Sequence, residues 1–221
     1  MNMNIFDHLI SNESLCFDVG ANIGKKTELF LSLGAKVVCI EPQSNCINTL
    51  TEKFRDNEKV KIVSTALGER EDVLDIFISP MDTLSTMSTD FIEVTSLERF
   101  EKIVWDRKEK VRVTTLDNLI SEYGLPDYCK IDVEGYELEV LRGLTKKIKC
   151  ISVEFTPELK NKTFECIAII DGIGEYEYNY SEEESHLFTF DDWKTSEEIT
   201  EFLKKNNDFR MSFGDLYARL R

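Results

Sequence analysis

The stretch "CFDVGANIGKKTELFLSLGA", residues 16–35, decides how the chain is read. It opens on an apolar run with strand character and turns through two glycines. It continues as an amphipathic helix with Leu29, Phe30 and Leu33 on one face. Such a turn brings a ligand close to bare backbone at the start of the helix. Its spacing narrows the choice of ligand. A P-loop needs four residues between its glycines, then Lys and Ser/Thr, so that its amides wrap a phosphate. Gly20 and Gly24 enclose only three residues, and two lysines precede Thr27. The dinucleotide fingerprint is incomplete too, because Asn22 stands where its middle glycine belongs. Asp18 followed by Gly20-x-x-x-Gly24 suits a nucleoside better than a nucleotide.

Working outward, "KVVCIEP" (36–42) reads as a second strand ending at Glu41, seventeen residues after Gly24. Rossmann-type folds place an acid about 20 residues on, where it holds ribose hydroxyls. A helix over 44–56 and a third strand over 59–68 follow. The pattern then changes to an added strand pair (73–79 and 110–115), a Ser/Thr-rich loop (82–89) and a charged helix near 93–103. Regular alternation returns with a helix over 117–124, a strand at 127–132, a helix over 134–144 and a strand at 149–155. Strands alternating with helices at this rhythm predict a mostly parallel sheet with helices on both faces. The last third is less regular, with "EYEYNYS" (175–181), "HLFTF" (186–190), a helix over 196–206 and a closing "DLYARL" (215–220). The expectation is one domain over 1–221, with an irregular acidic segment at about 156–205.

Composition sets further limits. The formal net charge of −15 comes with no Lys/Arg-rich run, which argues against nucleic acid and anionic membranes as partners. No apolar segment has membrane-spanning length and the N-terminus has no leader pattern, so a soluble cytoplasmic protein is expected. Six scattered cysteines without a C-x-x-C suggest apolar packing rather than disulfides or zinc. The acidity is concentrated, with eleven acids against one lysine between residues 171 and 201. That segment reads either as solvated surface, with the aromatics Tyr176, Tyr178, Tyr180, Phe188 and Trp193 completing the core, or as an acidic flap whose aromatics lie over a sugar.

"FDVGANIG", "CIEP", "STALG", "VTTLDNLI" and "YCKIDVEGYELEVLRGL", in this order, resemble the FkbM family of S-adenosylmethionine-dependent methyltransferases, as does "GDLYARL". The most specific part is "KIDVEG" followed by a helical "ELEVLRG". The resemblance implies a Rossmann-like class I methyltransferase fold with a seven-stranded sheet and S-adenosylmethionine as cofactor. It implies that Asp18 and the Gly20–Asn22–Gly24 turn meet the methionine portion, that Glu41 holds the ribose and that Ala66 and Leu67 flank adenine. The acceptor implied is a hydroxyl on a sugar, a glycan precursor or another polar metabolite. A cofactor without phosphate suits a loop without an anion nest, and its sulfonium suits a rim of Asp18, Glu41 and Asp132.

Asp132 ends the fourth strand of the alternating series, where open α/β sheets place reacting groups, and it is the first candidate for a general base. Glu154, ending the next strand, is the second. The competing reading of Asp132 is a helix-capping carboxylate that anchors the cofactor. Ser85, Thr86 and Ser88 are candidates for hydrogen-bonding the acceptor. Glu134 and Glu137 read as acids favouring a helix dipole. No metal is expected, since His8 and His186 are isolated; an oxygen-only magnesium site around Asp132 and Glu154 is the alternative. The rivals to a methyltransferase are a P-loop-like kinase or NTPase and a catalytically silent binding module of the same fold.

Overall fold

The computed structural model describes residues 4–97, 99–205 and 213–221. A short helix α1 (Ile5–Leu9) precedes β1 (Leu15–Val19), α2 (Lys25–Ser32), β2 (Lys36–Ile40), α3 (Ser44–Lys53) and β3 (Val60–Val63). Next come β4 (Ala66–Leu67), β5 (Asp72–Ile78), α4 (Thr89–Thr95) and β6 (Arg107–Thr114). The alternation resumes with α5 (Leu116–Tyr123), β7 (Tyr128–Ile131), α6 (Glu137–Arg142) and β8 (Cys150–Phe155). The chain closes with α7 (Lys160–Ile173), β9 (Tyr176–Glu182), α8 (Ser196–Lys205) and β10 (Gly214–Leu220).

Seven strands form one sheet in the order β3-β2-β1-β7-β8-β10-β9. The pairs from β3 to β8 are parallel, and β10 runs antiparallel to both β8 and β9. Alternation along each strand divides the core between the two faces. Phe17, Val19, Val38, Ile40, Cys129 and Ile131 pack on one side, with apolar residues of α5, α6, α7 and α8. Cys16, Val37, Cys39, Tyr128, Cys150 and Tyr217 pack on the other, with residues of α1, α2 and α3. The central strands are apolar on both faces because helices cover both. All six cysteines are buried and free, in keeping with their reading as small apolar residues.

Several local expectations change. The third strand, expected over 59–68, breaks into two, because Thr65 turns the chain and its Oγ1 donates to the Arg112 carbonyl (2.9 Å). β4 thereby joins a second, three-stranded sheet, β4-β6-β5, instead of extending β3. The charged helix near 93–103 starts earlier, as α4, because the Ser88 hydroxyl accepts from Phe91 N and caps it. The segment about 156–205 carries α7, β9 and α8, with residues 183–195 between β9 and α8 outside the named helices and strands. "HLFTF" lies outside the named strands, its Thr189 N–H donating to the Tyr180 carbonyl (2.8 Å) beside β9. Tyr176, Tyr178 and Tyr180 are core residues, and Phe188 and Trp193 pack against the second cluster. The three tyrosines therefore complete the interior, Phe188 and Trp193 are half-buried, and none of the five lines the cavity at the carboxyl ends of β1 and β7. The expected end of the last helix, residue 206, lies outside the described residues.

Candidate functional site

The chain winds outward from β1 to β3 and then returns to β7 on the other side of β1. That reversal leaves a crevice at the carboxyl ends of β1 and β7, the place where open α/β sheets bind ligands. Gly20 shows how tightly the two loops meet there. It has φ +80°, and a Cβ on it would lie 1.8 Å from the Asp132 carbonyl oxygen. No other residue type fits this contact without moving the loop after β7.

Glu41 braces the glycine loop from the neighbouring strand end. One of its carboxylate oxygens accepts from Asn22 N (2.9 Å) and the other from Gln43 N (2.8 Å). It is buried, and burial raises its pKa to about 7 against the pull of those hydrogen bonds. Asp18 is buried below the loop, where its Oδ2 accepts from Thr27 Oγ1 (2.6 Å). Burial raises its pKa as well. Asp18 thus ties β1 to the first turn of α2.

A cavity opens over these strand ends. Gly20, Asn22 and Glu41 line it on one side, and Ala66, Leu67, Ile76 and Met87 supply an apolar wall. Asp82, Ser85, Asp132, Glu134 and Tyr136 complete much of the rim. Four carboxylates line it, and among the described residues no Lys, Arg or His does. Of the sequence candidates, Gly20, Asn22, Glu41, Ala66, Leu67, Ser85 and Asp132 are brought together here. Asp18, Gly24, Thr86, Ser88 and Glu154 are not lining residues. Gly24 begins α2 against Phe54 and Leu50. The Thr86 hydroxyl donates to the Glu134 carbonyl (2.7 Å), and Ser88 caps α4.

A second group of carboxylates stands beside the cavity. Asp132, Glu134 and Glu154 each present one oxygen, all within 4.8 Å of one another. Glu134 lies in the loop before α6 and not inside a helix, with φ +54°. Glu137 does not merely favour the dipole. Its Oε1 accepts from Val133 N and Gly135 N, both at 3.1 Å, and fixes the turn that presents Glu134. Burial first, then Asp132 and Glu137, pushes the Glu134 pKa well up. Burial and the charges of Glu134 and Asp132 do the same to Glu154, whose Oε2 is buried and has no partner. Lys130 on β7 reaches the cluster, and its Nζ donates to Asp132 Oδ2. Burial opposes its charge, but Asp132, Asp215 and Asp18 hold its pKa above the ordinary value. Three such oxygens could hold a hard divalent cation, with Lys130 already claiming one carboxylate.

The methyltransferase FkbM domain matches residues 18–211. The chain belongs to the FkbM methyltransferase family. Its domain is that of an S-adenosylmethionine-dependent methyltransferase. A curated relative is the hexuronic acid methyltransferase AglP of Haloferax volcanii, 25% identical over 142 residues. The match covers 63% of this chain and 54% of that protein, so the chain spans about half the length of this relative. Among solved structures, the precorrin-6y C5,15-methyltransferase of Geobacter metallireducens superposes with TM-score 0.50 at 10% identity. That likeness covers 98% of this chain and 85% of the other and shows a common fold. A Streptococcus mutans protein solved in complex with SAH gives TM-score 0.48 at 9% identity, with 97% and 93% covered.

The FkbM cavity fits its cofactor chemically. Among the described residues it has no lining cation for a phosphate, but it has carboxylates suited to a sulfonium and to hydroxyls, and an apolar wall suited to a base. Sequence reading missed Gln43, Asp82, Tyr136 and the place of Glu134. A lysine inside the apolar run "YCKID" was the available signal for a buried ion pair at Asp132. Asp82 had no such signal, because it reaches the site from a loop forty residues beyond Glu41.

Proposed function

We propose that this FkbM protein methylates a hydroxyl oxygen on an uncharged sugar, glycan precursor or similar polar metabolite. The observation that carries the reading is the convergence of Asp132, Glu134 and Glu154 at the ends of β7 and β8, with one Glu154 oxygen left without a partner. S-adenosylmethionine, when bound, supplies an activated methyl group and leaves as S-adenosylhomocysteine. The protein must then align the acceptor oxygen, exclude water and receive one proton. An alcohol does not ionise near neutrality, so a carboxylate beside it is a sensible proton acceptor. Glu154 does not line the cavity itself, but it presents an oxygen within 4.8 Å of those of Asp132 and Glu134, which do, and it is favoured for that role because Lys130 already occupies Asp132. A carboxyl with a raised pKa is also the stronger base once it has ionised. Asp132 would orient the loop and the acceptor. The acidic lining supports a neutral acceptor, although the AglP relative is named for a hexuronic acid.

The test is a panel of neutral glycosides and uronates offered with S-adenosylmethionine, reading S-adenosylhomocysteine formation. Neutral acceptors are expected to turn over, with a rate that rises with pH as the buried carboxyl ionises. Glu154→Gln should lower kcat by roughly a hundredfold or more and flatten that pH profile while cofactor affinity persists. Preference for uronates would overturn the acceptor class. A full loss of rate in Asp132→Asn, with Glu154→Gln unaffected, would move the base to Asp132.

A further inference from the structure

Gln43 lies two residues beyond Glu41, lines the cavity and is only 4% exposed. Its backbone N–H is committed to Glu41, and its side-chain Nε2 donates to the Asp82 carbonyl (3.1 Å). The second bond decides which way the amide faces, because a carbonyl can be met only by the amide nitrogen. Oε1 is therefore turned away from Asp82, and it is buried with no hydrogen-bond partner. Native interiors leave few acceptors in that condition unless something absent from the protein itself satisfies them.

We propose that Gln43 Oε1 accepts a hydrogen bond from a donor on the adenosyl half of the cofactor, making Gln43 a specificity-determining residue. The inference rests on the cofactor assignment and goes beyond it. The adenosyl group offers two kinds of donor, the ribose hydroxyls and the exocyclic amino group. Gln43 stands between Glu41, which braces the glycine loop, and the Asp82 segment, so either donor would meet an acceptor there. An amide suits the position better than a carboxylate. Asp82 requires a donor from it, and a further negative charge would stand beside Glu41.

The experiment is titration calorimetry of the full chain with three ligands: S-adenosylhomocysteine, S-inosylhomocysteine, which lacks the amino group, and 2′-deoxy-S-adenosylhomocysteine, which lacks one hydroxyl. The wild type is expected to bind one of the two analogues more weakly than S-adenosylhomocysteine by roughly tenfold or more, because the analogue leaves a buried acceptor unpaired. Gln43→Leu should shrink that difference to about twofold, since the acceptor is gone. The analogue whose penalty shrinks identifies the donor. Gln43→Met, which keeps the length of the side chain but lacks the acceptor, should shrink the difference likewise and covers the case in which the leucine variant does not fold. If Gln43→Leu weakens all three ligands equally, or changes none, the residue only anchors the Asp82 loop and the proposal is overturned. Retention of the full preference in Gln43→Met overturns it too. Failure of the wild type to bind S-adenosylhomocysteine at all would instead remove the cofactor assignment, and this inference with it.

Discussion

Glu41 does two jobs with one carboxylate. It accepts an N–H from the glycine loop and another from its own strand end, and it lines the cavity, where its proposed role is to accept from the ribose. Burial raises its pKa to about 7, so below neutrality it carries a proton that competes with ligand donors. Cofactor affinity should therefore strengthen by roughly tenfold between pH 6 and pH 8 as the carboxyl ionises. Glu41→Gln should bind more weakly by about 1–3 kcal/mol and lose that slope, although the Glu134 carboxyl, raised by burial, lines the same cavity. A slope that survives in the variant would assign the titration to Glu134. At this scale the sequence was informative where a motif constrains chemistry. Gly20 and Glu41 were legible because a tight turn and an acid at fixed spacing have few other purposes. Gln43 was not, since an amide after a proline resembles any helix approach until its burial and its Asp82 partner are known.

Among the elements, β9 keeps acids apart from aromatics. Ten of the eleven acids between residues 171 and 201 are exposed and Glu177 is half-buried, in line with the reading as solvated surface. β9 itself alternates tyrosines with polar residues, and Asn179 and Ser181 are buried along with the tyrosines. Tyr178 is fully buried, and its hydroxyl donates to Asp171 (2.7 Å) on α7. The strand pairs with β10 along seven residues, from Gly214 opposite Glu182 to Leu220 opposite Tyr176. Tyr178→Ala should thus cost about 3–5 kcal/mol of stability, as other buried aromatic truncations do, with melting or denaturant titration as the readout. Backbone amides of β9 should exchange slowly whether or not ligands are present. Fast exchange that slows on ligand binding would restore the flap. Elements with strong periodicity, such as β1, α2 and β7, were legible. The break between β3 and β4 was not, because the pull on Ala66 comes from β6, more than forty residues away. Local pattern carries no record of such a partner.

For the molecule as a whole, the buried carboxyls set a direction for stability with pH. Burial raises the pKa values of Asp18, Glu41, Glu134, Glu137, Glu154 and Asp215, with Glu41 and Glu137 reaching about 7. In the unfolded chain each would release its proton near pH 4. Between that value and the raised one, the folded state binds more protons, so stability falls as pH rises. Glu13 works the other way, because hydrogen bonds and charge from Lys36 and Lys59 lower its pKa to about 2. Its contribution is present above about pH 4.5 and is lost as pH falls toward 2. His186 also opposes the trend, since burial and Lys26 lower its pKa. The thermal midpoint is expected to be highest near pH 5 and to decline toward pH 8. A midpoint that climbs steadily over that range would mean the six carboxyls are ionised in the native protein without penalty.

The six buried thiols carry a consequence of another kind. Burial pushes Cys16, Cys39, Cys46 and Cys150 up to about 12, so in the native protein they are neither ionised nor reachable. They are spread over β1, β2, α3, β7, β8 and α7, on both faces of the main sheet. An alkylating reagent can reach them only when the structure opens, and each site reports the opening of its own neighbourhood. The chain thereby holds six internal clocks for its own breathing. Cys46 stands apart among them: it receives a hydrogen bond from the Asn22 side chain and approaches Asp82, two residues of the cavity wall, so its clock should keep time with the ligand.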